Sequence, residues 1–82
     1  MSARDAFRVV HTKAGRGPAF LAGADRVDHV EVVELSGGEV VFFWDLPPRE
    51  AARVARALRE DLGTLGREDF LTAWREAAEE GR

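Results

Sequence analysis

Four arginines, Arg49, Arg53, Arg56 and Arg59, have the type and spacing to grip phosphates. At about 100° per residue they fall in one sector of a helix, opposite Leu58. Guanidinium groups along such a stripe could hold successive phosphates of a nucleic-acid backbone. Glu60 lies in the same sector and can pair with Arg56. No aromatic side chain interleaves the stripe, and no glycine-rich or zinc motif accompanies it. The simpler reading is a solvated helix face, with nucleic-acid binding as the alternative function.

Other clusters carry less chemistry. "HTKAGRGP" (His11 to Pro18) could wrap backbone amides and Lys13 or Arg16 around an anion. It lacks the Gly-x-x-x-x-Gly-Lys-Ser/Thr spacing and reads as a polar turn. "GADRVDH" gathers Asp25, Asp28 and His29, which are metal ligands in type, but His11 is the only other histidine. No metal site is expected. For catalysis there is no Cys, no Tyr and no Gly-x-Ser-x-Gly elbow, and Ser2 and Ser36 sit at the terminus and in a turn. Glu31 or Glu34 could have a raised carboxyl pKa among apolar neighbours, but glutamates pointing to water explain them more simply. The expectation is a protein that is not an enzyme and uses no cofactor.

Composition narrows the setting. The chain has 82 residues, 45% hydrophobic and 33% charged, with net charge −3 and no cysteine. That length supports one domain, 1–82, burying roughly 60–65% of its unfolded surface. It offers no disulfide framework. No apolar run approaches the roughly 18 residues of a membrane span, and "MSARDAFRVV" does not look like a signal peptide. A cytoplasmic protein follows as the expectation. Lys13 is the only lysine among many arginines, a bias of GC-rich bacterial coding. The net charge disfavours nucleic acid globally, because phosphate binding depends on released counterions.

These residues must be positioned by strands first and helices second. The strand region spans 5–46. "DAFRVVH" reads as a strand, "AFLAG" as a short second strand or irregular crossing, and "RVDHVEVVEL" and "EVVFFWDL" flank "SGG" as a hairpin. Gly37-Gly38 suits a two-residue turn. The helical region spans 48–80. Pro47-Pro48 cannot continue a central strand, and Pro48 fits the first helical position. Ala51, Val54, Ala55, Leu58 and Leu62 repeat at helical spacing, with Gly63 as the expected stop.

A second helix is expected from near Gly66, with Glu68 and Asp69 in its first turn. Leu65 and Phe70 stand at the staple positions, and Phe70, Leu71, Trp74, Ala77 and Ala78 form an apolar stripe. Its outer face carries Asp69, Glu76, Glu79 and Glu80, the opposite charge to the first helix. The predicted fold is α+β: an N-terminal antiparallel sheet of three to four strands, then two C-terminal amphipathic helices packed on one sheet face.

Both faces of the hairpin are apolar. With a two-residue loop, Leu35 pairs with Val40, Val33 with Phe42 and Val32 with Phe43. One face then gathers Leu35, Val33, Val40, Phe42 and Trp44; the other gathers Val30, Val32, Val41 and Phe43. Two amphipathic helices can cover only one face, and the Trp44 face is the richer. Trp44 and Trp74 read as core rather than as a ligand-stacking pair. The second face needs cover from Ala14 to Ala24 or from another molecule. Exposed apolar patches mark interaction surfaces, so a homodimer through Val30, Val32, Val41 and Phe43 is expected, with a different protein partner as a variant. The function read from sequence is protein–protein association.

Overall fold

The computed structural model describes residues 2–13 and 27–80. A 3₁₀ turn at Ala3–Asp5 leads into β1 (Phe7–Thr12). It is followed by β2 (Asp28–Glu34), β3 (Val40–Leu46), α1 (Pro48–Thr64) and α2 (Arg67–Glu80). The three strands form one antiparallel sheet in the order β1-β2-β3, so among the described residues β1 and β3 are its edges. Both helices pack on one face of that sheet, the expected α+β arrangement. "AFLAG", the candidate cover from Ala14 to Ala24, and Asp25 lie outside the described residues.

The β2–β3 turn is longer than the sequence suggests, and this decides which side chains form the core. Glu34 and Glu39 close the turn: the Gly38 amide donates to the Glu34 carbonyl at 2.7 Å, and the Glu34 amide to the Glu39 carbonyl at 2.8 Å. Gly38 has φ +73°, the left-handed conformation that glycine adopts without a Cβ penalty. Beyond the turn, Val33 pairs with Val40, but Val32 pairs with Phe42 and Val30 with Trp44. Val41 is therefore the extra residue of a bulge. The expected pairing was off by one residue over most of the hairpin. Because side chains alternate with period two, that slip exchanges the faces of β2.

Val30 and Val32 consequently join Phe42 and Trp44 under the helices. Val33 turns to the opposite side. The core collects Ala3, Phe7, Val9, Val30, Val32 and Trp44 from the N-terminal turn and the three strands. Ala51, Ala55, Leu58 and Leu62 of α1 and Phe70 of α2 complete it.

Helix α1 starts where the prolines dictate: Pro47 is the N-cap and Pro48 the first helical residue. Its buried positions 51, 55, 58 and 62 recur at helical spacing. Gly63 does not stop it. The helix continues to Thr64, whose hydroxyl donates to the Glu60 carbonyl, and extended backbone at Leu65 ends it. The Leu65 carbonyl accepts a 2.7 Å hydrogen bond from the Ala3 amide, tying the N-terminal turn to the helix connection.

In α2, Phe70 is fully buried and stacks on Phe7 at 5.6 Å between ring centroids. Trp74 meets Trp44 edge-on at 5.8 Å and donates its indole N–H to Asp61 Oδ2 at 2.9 Å. That bond joins the two helices directly. Trp44 is buried in the core, as expected, while Trp74 is half-buried and packs against it.

Candidate functional site

The register defines the outer face of the sheet as three rows. Arg8, Val33 and Val40 form the first, Val10, Glu31 and Phe43 the second, and Thr12, His29 and Asp45 the third. Val41 projects from the bulge beside the first row. Among the described residues no helix covers this face, and its apolar side chains gather on the β3 side. Leu35 (51% exposed), Val40 (50%), Val41 (37%) and Phe43 (49%) are four of the five large hydrophobic residues exposed among the described residues. The β1 side carries Arg8, Val10 and Thr12 instead.

The expected interface residues do not share a face. Val41 and Phe43 are on the outer surface, as expected. Val30 and Val32 are 0% exposed and belong to the core beneath the helices. The physical reason is the one-residue register difference, which puts Val33 in the outward position in their place.

The aspartate–histidine cluster is likewise divided. Asp28 and His29 are neighbours in sequence and so point to opposite sides of β2. Asp28 is buried and accepts a 3.0 Å hydrogen bond from His11 Nε2. His29 is on the outer face, hydrogen-bonded to Asp45 and stacked on the Phe43 ring. Among the described residues, no three His, Cys, Asp or Glu side chains gather to hold a metal ion. Glu34, considered above as a carboxyl among apolar groups, forms a 2.9 Å ion pair with Arg67. The Arg67 guanidinium also lies over the Phe7 ring.

Arg49, Arg53, Arg56 and Arg59 are all exposed on α1, as the stripe requires. Arg56 and Arg59 border a shallow groove of about 490 Å³ against the β1 edge, with His11, Lys13, Ala52, Ala55 and Glu60 as its other lining residues. Arg49 and Arg53 do not reach it.

A second groove, of about 600 Å³, runs between the β3 edge and α2. The consecutive residues Val41 to Asp45 line one side, and Arg75, Ala78 and Glu79 line the other. A strand shows alternate side chains to alternate faces, so five consecutive residues can border one groove only along the strand's edge. The sequence held no signal for this feature, because it depends on where α2 docks. Among the described residues no helix is long and apolar enough to cross a membrane.

Compared with protein-family models, curated proteins and solved structures, the chain gives no match.

Proposed function

We propose that this protein is a non-catalytic, cytosolic module that acts by protein–protein association, forming a homodimer through the apolar surface that the outer sheet face presents along β3. The observation that carries this reading is the apolar cluster of Leu35, Val40, Val41 and Phe43, exposed on one side of a sheet whose opposite face is filled. Apolar surface concentrated in this way is a favourable place to exclude water between molecules, and two-fold assembly is its commonest use.

Molar mass measured by light scattering across a wide concentration range tests the proposal. The expected result is a concentration-dependent dimer. Phe43→Lys should weaken it by about 2 kcal/mol or more, about thirtyfold in Kd. Far-UV circular dichroism should stay unchanged, because Phe43 is half exposed and lies outside the core. A monomer at every concentration would remove self-association.

A second reading, nucleic-acid binding through the arginine stripe, is favoured by one observation. Arg56 and Arg59 share a groove with Lys13 and His11, so three cationic side chains line it against one carboxylate, Glu60. Binding to generic duplex and single-stranded DNA should then fall steeply with salt, and Arg53→Ala with Arg56→Ala should reduce that slope by about 2. Binding that ignores salt, or none, rejects this reading.

A further inference from the structure

The open edge of β3 is exposed in a way the sheet's outer face alone does not explain. β3 is a seven-residue edge strand containing five consecutive hydrophobic residues, Val40 to Trp44. Edge strands of stable proteins are commonly blunted by proline, by lysine, by bulges or by a covering element. Here the strand has neither proline nor lysine, and its one charged residue, Asp45, is bonded to His29. The bulge at Val41 blunts one end only. Helix α2 stands back from the edge and leaves the groove of about 600 Å³ along Val41 to Asp45.

Two features select a second copy of this chain as the occupant. Arg75 and Glu79 lie four residues apart on the groove side of α2, with the small Ala78 between them. A two-fold axis perpendicular to the sheet, beside β3, would run two α2 helices antiparallel on either side of it. Reversing the helix direction sets Arg75 opposite Glu79 of the second copy, and Glu79 opposite its Arg75. Opposite charges at i and i+4 are thus self-complementary under the same operation that pairs two β3 strands antiparallel.

Stacking face on face about a centred axis is disfavoured by contrast. Glu31 occupies the middle of the outer grid, and such an axis would set it against its own copy. Like charges brought together in an interface oppose association.

We propose that two copies join through the β3 edges, pairing antiparallel to extend the sheet across the axis, with α2 flanking α2 and Arg75 matched to Glu79 of the second copy. This rests on the self-association proposed above but moves the contact from the sheet face to the β3 edge, so that the outer faces of the two copies lie side by side and do not stack. Strand pairing satisfies backbone groups that the open edge leaves to water, and it brings the exposed Val41 and Phe43 of both copies together on one continuous outer face.

The test combines a charge exchange with amide hydrogen exchange. Light scattering would compare the wild type, Arg75→Glu, Glu79→Arg and the double exchange. All the substitutions are at exposed positions. Each single change is expected to raise the dimer Kd about tenfold or more, and the double exchange to restore it. Backbone amides within Val41 to Asp45 should gain protection as concentration rises.

A dimer indifferent to both single changes, with no added protection of those amides, would overturn edge pairing and leave self-association standing. Weakening by the single changes without rescue would also overturn it, because charge matching across the axis would not be the cause. A wild-type monomer at every concentration would remove both readings.

Discussion

Asp28 and Asp45 each accept a hydrogen bond from a histidine, and burial separates their contributions. Asp28 is 1% exposed, and its partner His11 is also largely enclosed. A carboxylate there has lost its water and depends on neighbouring polar groups. Removing it leaves the His11 ring nitrogen in low-dielectric surroundings with a partner missing. Asp28→Ala is therefore expected to lower stability by about 3 kcal/mol, read as a fall in the urea midpoint at constant m. Asp45 and His29 are roughly half exposed, so water and salt screen their pair. Asp45→Ala should leave the midpoint within experimental error. The sequence placed Asp28 and His29 side by side as candidate ligands. Strand alternation separates them, and only the partners on β1 and β3 give each its role.

At the scale of elements, the two helices follow directly from period and punctuation. Pro47-Pro48 ends the strand region, apolar residues recur every three or four positions, and Glu68 and Asp69 open α2. The end of α1 was less legible. Gly63 has the composition of a stop, yet Thr64 extends the helix by bonding back to Glu60.

The glycines give a paired prediction. Gly63 is helical, and a Cβ there would meet nothing within 4 Å. Gly63→Ala should thus raise stability by about 0.5–1 kcal/mol. A Cβ on Gly38 would also meet nothing, but its φ is +73°. Gly38→Ala should lower stability by about 1–2 kcal/mol through backbone strain alone. Thermal unfolding of the two variants should move in opposite directions. A Gly38→Ala midpoint that rises or stays level would show that the turn does not require a left-handed residue.

For the whole molecule, charge and apolar surface are unevenly distributed. The α1 arginines lie exposed on one helix, while Asp69, Glu76 and Glu79 lie exposed on the other. The apolar surface collects at β3, near α2 and away from the β1-edge groove that Arg56 and Arg59 border. An association surface at β3 and an anion-attracting surface on α1 are therefore separable. Exchanging Arg53 and Arg56 for alanine should leave the molar mass unchanged, and Phe43→Lys should leave any salt-sensitive nucleic-acid binding unchanged. If either pair of effects travels together, the two surfaces are coupled through folding rather than independent.

By itself the sequence determined the order of strands and helices, the ends of the sheet region and the presence of apolar residues on both faces of the hairpin. Those properties reside in local periodicity, in proline geometry and in composition, and each acts within a few residues. Tertiary structure decided which valines of β2 became core. Val30-Val32 and Val33-Leu35 are equally apolar, so either register satisfies the pattern, and the four-residue turn with its bulge selects one. It also decided that β3 is an edge with an open groove. That depends on strand order and on the docking of α2 through Phe70 and Trp74, contacts between residues far apart in the chain that no local pattern encodes.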